Sequence, residues 1–188
     1  MSRRNLLRFA AVALAAIASL ATLGAQGPPP STVDPLHRPY DQLLDLHVRD
    51  GLIYYRALRG SRGAFDRYVA SLDVPSAEYD GWARPRQIAF WINAYNAFVI
   101  ESVLDAYPIS GRSSQFPANS LHQVPGVFEK QVRRAAGRRL TLDDIEKSVL
   151  AGFGDPRVFL ALGRGAPASR TRPAPGAGCW QGTGMSDR

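Results

Sequence analysis

Gln87-Ile88-Ala89-Phe90-Trp91-Ile92-Asn93-Ala94-Tyr95-Asn96-Ala97-Phe98-Val99-Ile100 is an almost wholly apolar run that carries two asparagines three residues apart. A surface helix shows one apolar stripe and one polar face. This run is apolar on nearly every side, so it predicts a buried central helix around which the rest of the chain packs. Pro85 suits the first turn, where its missing N–H costs nothing, and Tyr107-Pro108 ends the helix after about Ala106. Asn93 and Asn96 ride into the interior with it. An unpaired buried amide costs on the order of 1–3 kcal/mol, so both side chains need partners. They are either braces for a neighbouring loop or polar groups of a site.

Working outward, Tyr40, Leu43, Leu44 and His47 fall at i, i+3, i+4 and i+7, one face of a helix with Pro39 in its first turn. Asp50-Gly51 stops that helix, and Leu52-Ile53-Tyr54-Tyr55 reads as a brief strand. Phe65, Tyr68, Val69 and Leu72 repeat the helical spacing until Pro75. Between Ile109 and Arg139 the periodicity fades, apart from Val124-Pro125-Gly126-Val127-Phe128. A loop of that length is either a functional lid or a poorly ordered excursion. Leu140-Thr141-Leu142-Asp143-Asp144-Ile145-Glu146 restarts order, with Thr141 as N-cap and two aspartates in a first turn that favours negative charge. Leu142, Ile145, Val149 and Leu150 supply its buried face. Asp155-Pro156 opens a last apolar segment, Val158 to Leu162. The fold class expected is α+β and mainly helical: a single domain around a buried central helix, with one or two short strands.

The N-terminus reads as an address. Arg3, Arg4 and Arg8 precede an uncharged, Ala-rich run from Phe9 to Leu23, and small residues lead into Gly27-Pro28-Pro29-Pro30. That is the pattern of a secretory signal peptide over residues 1–25, cleaved after Ala21, Gly24 or Ala25. An uncleaved anchor is the rival reading, but the apolar run is shorter than the about 20 residues a spanning helix prefers. The expected location is the periplasm or the extracellular space, with no stable membrane span after cleavage. Residues 1–25 hold three arginines and no acid, so their removal takes the formal charge from +7 to +4. The paired arginines Arg133-Arg134 and Arg138-Arg139 stand without a nucleic-acid motif and read as a solvated loop, which excludes nucleic acid as a partner class. Cys179 is the only thiol, so no internal disulfide can form. Residues 26–39 read as a flexible leader.

Several of these blocks together resemble the bacterial family called domain of unknown function 547. They are Leu43-Leu44 with Asp50-Gly51-Leu52-Ile53-Tyr54-Tyr55, Ala89-Phe90-Trp91-Ile92-Asn93-Ala94-Tyr95-Asn96-Ala97, Val124 to Phe128, Leu140 to Glu146, and Asp155-Pro156-Arg157-Val158. The likeness spans roughly residues 40–163, and it implies an exported, mostly helical domain without an assigned activity. The family pattern commonly puts a histidine after the Ile-Glu pair, another after Arg-Val, and cysteines just downstream. The corresponding positions here are Lys147, Phe159 and Arg164. From Arg164 to Arg188 there are five glycines, three prolines and four arginines, a composition that predicts a disordered tail. Relatives would continue in ordered helix there, so this end reads as a truncation, a frameshift or a lineage-specific tail. The apolar edge left near Val158 to Leu162 then predicts weak self-association.

Each candidate site residue has a bland counterpart. Asn93 and Asn96 are ligand-holding amides or braces to loop carbonyls. Asp143, Asp144 and Glu146 are acid–base or metal-binding groups, or complements to a helix N-terminus. Glu146 stands out because its neighbours Ile145 and Val149 face a core, where a carboxylate is harder to ionise. His47 lies on an apolar face, as core and boundary histidines do. Cys179 as a nucleophile would need a rigid electropositive pocket, which a Gly/Pro-rich tail does not supply. No metal-ligand spacing and no cofactor fingerprint occurs, so neither a metal nor a cofactor is expected. Two readings stand. One is an exported binding or structural module with no intact catalytic set. The other is a hydrolase-like enzyme using Asn93, Asn96 and Glu146 in a cleft under the 109–139 loop.

Overall fold

The central helix runs from Arg84 to Ala106, and every residue from Ala89 to Ile100 is buried. This is a computed structural model, and it describes residues 33–111 and 113–164. The expected signal peptide over 1–25, most of the expected leader, and the tail beyond Arg164 with Cys179 lie outside the described residues. Ile88, one turn from the start of the central helix, is only partly buried. At that end an aromatic cluster closes around Trp91. Its indole Nε1 donates to the Tyr79 hydroxyl at 2.7 Å, and the ring meets Tyr79 and Phe90 edge-on. Tyr79 belongs to a short helix, Ser76–Asp80, that carried no signal in the sequence.

Order starts earlier than the leader boundary suggested. Pro35–His37 form a 3-10 turn and Arg38–His47 the first helix. Asp34 explains why this polar stretch docks. Its Oδ1 accepts from the Leu36 N–H at 3.1 Å, and its Oδ2 pairs with Arg86 of the central helix at 2.5 Å. His37 is buried behind it, with Nδ1 2.8 Å from the Tyr68 hydroxyl. The first helix lies against the next long helix, Arg62–Ser71, through Tyr40 stacked on Tyr68 at 4.7 Å.

Two small antiparallel ribbons complete a mainly helical α+β domain. In the first, Val48 pairs with Ile53 and Arg49 with Leu52. Asp50 and Gly51, at φ 52° and 81°, make the two-residue turn with both residues left-handed that suits such a hairpin. Only Leu52 and Ile53 of the expected strand are extended; Tyr55 already begins a short helix. The second ribbon, Arg133–Ala135 with Arg138–Leu140, corrects the reading of the arginine pairs as a solvated loop. Arg133 turns inward, its Nε 2.6 Å from Glu101 of the central helix and its Nη2 2.9 Å from Ser102. Arg134 reaches Asp73 at 2.7 Å, and the Ala136 N–H donates to the Leu72 carbonyl at 2.9 Å. The ribbon is thereby fastened to the end of the second long helix.

In the remainder of the 109–139 loop one buried side chain ties several backbone groups together. Gln123, buried, accepts from the Ser113 N–H at 2.9 Å. It donates to the Ser113 and Phe116 carbonyls at 2.8 Å each. After the second ribbon, Thr141 caps the Leu142–Asp144 turn, and Asp144 answers with a reciprocal bond, a full capping box. The chain then widens into a π-helical stretch, Ile145–Leu150, and the last element among the described residues is a 3-10 segment, Pro156–Ala161. Val158 and Ala161 of that segment are buried, while Phe159 and Leu160 are exposed.

Candidate functional site

The sequence places Glu146 between Ile145, which is fully buried, and the exposed Lys147. The π-helical turn makes this compatible with one chain path. Such turns are rare and recur at functional sites, because the extra residue per turn re-aims side chains. The Glu146 carboxylate is 6% exposed and is held from two sides. Its Oε2 accepts from the Tyr95 hydroxyl at 3.1 Å, and its Oε1 pairs with Arg164. Burial pushes the Tyr95 phenol up to about 12, with nearby Arg164 opposing and Asp143 adding to the shift, so it remains a neutral donor at any physiological pH.

Glu146 opens on a cleft of about 190 Å³, lined by His122, Phe128, Glu129, Asp143, Glu146, Lys147 and Arg164. The floor comes from the turn after Thr141 and the opposite wall from the 109–139 loop. The Asp143 N–H donates to the Phe128 carbonyl at 3.0 Å and fastens the two together. His122 stacks on Phe116 with ring centres 4.9 Å apart and tilts against Phe128 at 4.8 Å, so its ring has a defined place at the rim. Lys147 reaches back one turn to Asp143 at 2.5 Å. Among the described residues, no three His, Cys, Asp or Glu side chains converge as a metal-binding group.

The asparagines stand behind this cleft rather than in it. The Asn96 Nδ2 donates to the Ala161 carbonyl at 2.9 Å, and its Oδ1 accepts from the Gly163 N–H at 2.7 Å. It grips residues 161–163 by both edges, the segment that delivers Arg164 to Glu146. Asn93 is fully buried and partnered within the fold. Asp144 is spent on the capping box, while Asp143 faces the cleft. His47 sits apart, with Nε2 3.0 Å from the Ser61 hydroxyl. Phe159, at one of the positions where the family pattern has histidine, is exposed and outside the cleft lining. Lys147, at the other expected histidine position, and Arg164, at an expected cysteine position, both line it.

His122, Glu129 and Tyr95 carried no site signal in the sequence. The one available hint for the loop residues was the block Val124 to Phe128, whose neighbours they are.

A family model described as "Protein of unknown function, DUF547" matches residues 79–172, half of the chain, and the chain belongs to that family. Neither the curated proteins nor the solved structures gave a match. Among the described residues, no helix is long and apolar enough to cross a membrane.

Proposed function

We propose that the chain is an exported binding module of the cell envelope whose working surface is the Glu146 cleft. One observation carries this reading: a nearly buried carboxylate forms the floor of a water-accessible cleft instead of being sealed in the core. Drug-sized ligand pockets run to about 300–1,000 Å³. At about 190 Å³, this cleft suits a side-chain-sized group.

The residues at the positions of the family's histidine and cysteine favour binding over turnover. Arginine stays protonated in proteins and offers no nucleophile. Lys147 is paired with Asp143. Both supply charge and hydrogen bonds and leave no base-and-nucleophile pair at those positions.

The test is a ligand screen on the purified protein by amide chemical shifts, with small anions, cations and neutral polar molecules. Ligands should move resonances of His122, Asp143, Glu146 and Lys147 together. Shifts confined to other surfaces would refute the reading.

A hydrolase-like reading retains one specific observation in its favour. His122 and Glu146, a potential base and acid, face the same cleft. Asn96, committed to its brace, would serve there only by position. Hydrolysis of a chromogenic ester or amide that vanishes in His122→Ala would replace the binding reading with this one.

A further inference from the structure

We infer that the cleft takes a guanidinium group from a ligand, and that Arg164 is the chain's own occupant of that place. The inference rests on the reading of the cleft as the binding surface. Its starting point is the asymmetry of the Arg164–Glu146 pair. The carboxylate is 6% exposed and anchored by Tyr95, whereas the arginine side chain is 61% exposed. One partner is therefore built into the fold, and the other reaches over from a strap.

A guanidinium presents a planar fork of donors that matches a carboxylate, and its weak hydration makes burial against one less costly than for an ammonium. Removing Arg164 with nothing in exchange would leave a buried charge unpaired, which is strongly unfavourable. An incoming guanidinium avoids that penalty because Glu146 never loses its partner. The exposed arginine, once released, regains water and rotamer freedom.

The rest of the lining agrees in sign. With Arg164 displaced, the cleft lining among the described residues sets Glu129, Asp143 and Glu146 against one lysine, Lys147, already bonded to Asp143. Phe128 and His122 supply the aromatic wall on which guanidinium groups stack. An anionic ligand would meet the opposite field. Asn96 makes the exchange local: it keeps the 161–163 backbone in place while the Arg164 side chain swings away.

Butylguanidinium, a Gly-Arg-Gly peptide blocked at both ends, and butyrate are titrated into wild type, Arg164→Ala and Glu146→Gln, with amide shifts as readout. Arg164→Ala, a change at an exposed side chain, should bind both guanidinium probes about two- to fivefold more tightly than wild type. That is the range by which breaking a half-exposed ion pair shifts an equilibrium. Glu146→Gln keeps the shape and the acceptor for Tyr95, and should bind them more weakly than wild type. A higher affinity for the peptide than for butylguanidinium assigns the group to a protein partner, and the reverse order assigns it to a free metabolite. Equal affinity in wild type and Arg164→Ala overturns the inference, and should Glu146→Gln fail to fold, that comparison alone decides. Butyrate shifting the cleft while both guanidinium probes do not would overturn the guanidinium class but leave the cleft as the binding surface. Silence from all three probes also overturns it, and the broader screen then judges the binding reading separately.

Discussion

Replacing Asn96 by alanine separates a brace from a ligand-binding amide. The side chain makes two buried bonds, to the Ala161 carbonyl at 2.9 Å and from the Gly163 N–H at 2.7 Å. Each intramolecular bond contributes about 1 kcal/mol net, and a backbone group left dry costs about 1–3 kcal/mol. The full penalty would apply only if the strap stayed closed over the gap. Leu162 is half-buried and Arg164 exposed, so the strap can lift and let water reach the freed groups. The expected loss is therefore about 2–3 kcal/mol, which lowers Tm by roughly 10 °C in a domain of this size. The more specific readout is amide hydrogen exchange. The Gly163 N–H should lose its protection in Asn96→Ala while amides of the central helix around Phe98 change little beyond the global shift. If Gly163 exchanges as in wild type and Tm moves by less than a degree or two, Asn96 does not brace the strap. Delivery of Arg164 to Glu146 would then need another cause.

The remaining expectations address the core, its pH dependence and export. Trp91→Ala empties a fully buried site and strands the Tyr79 hydroxyl, so it should cost about 3–5 kcal/mol in denaturant melts. A change below about 1 kcal/mol would show that the helix is peripheral. His37 is lowered from 6.5 to about 4, mainly by burial, with Arg86 assisting and Asp34 opposing. The unfolded chain therefore takes up a proton as pH falls through about 6.5, while the folded one declines it until about 4. Stability should drop by about 3 kcal/mol across that window, and His37→Asn should flatten the slope there. The carboxylates held below their usual range by hydrogen bonds, Asp155 at about 2 among them, add their losses only at still lower pH. For export, intact mass of the protein from the cell envelope should show loss of about 21 to 25 residues, and a full-length cytosolic form would contradict it.

The central helix was legible because its reason is local. A run apolar on every side has no other stable place, and Pro85 and Pro108 mark its ends. The same logic made Tyr40, Phe65 and Tyr68 readable as facing surfaces. The 109–139 segment was not legible, because its ties are irregular, among them a buried glutamine bonding backbone groups up to ten residues away, which no periodicity records. Its ribbon was equally hidden. The strands are three residues each, and the turn uses Ala136 at φ 50°, a position where glycine or asparagine would have given a signal. The leader boundary was misplaced for a related reason: Asp34 and His37 look like polar linker until Arg86 and Tyr68, far along the chain, give them partners.

The cleft divides along the same line. Glu146 and Asn96 stood out as polar groups in apolar surroundings, a local contrast that sequence shows. His122 and Glu129 arrive from the 109–139 loop and Arg164 from the segment after Ala161, and only the closed fold brings them to Glu146. What the geometry adds is a reason for the two cations at the altered family positions. Lys147 and Arg164 each face a carboxylate of the same cleft, Asp143 and Glu146. A neutral residue at Arg164 would leave Glu146 with Tyr95 alone, and one hydroxyl does not balance a buried charge. The Arg164 pair sets opposite charge against that carboxylate at the floor of an open cleft, where a cation that outcompetes the strap can take its place. This pairing is why binding, rather than passive bracing, is the reading the site supports.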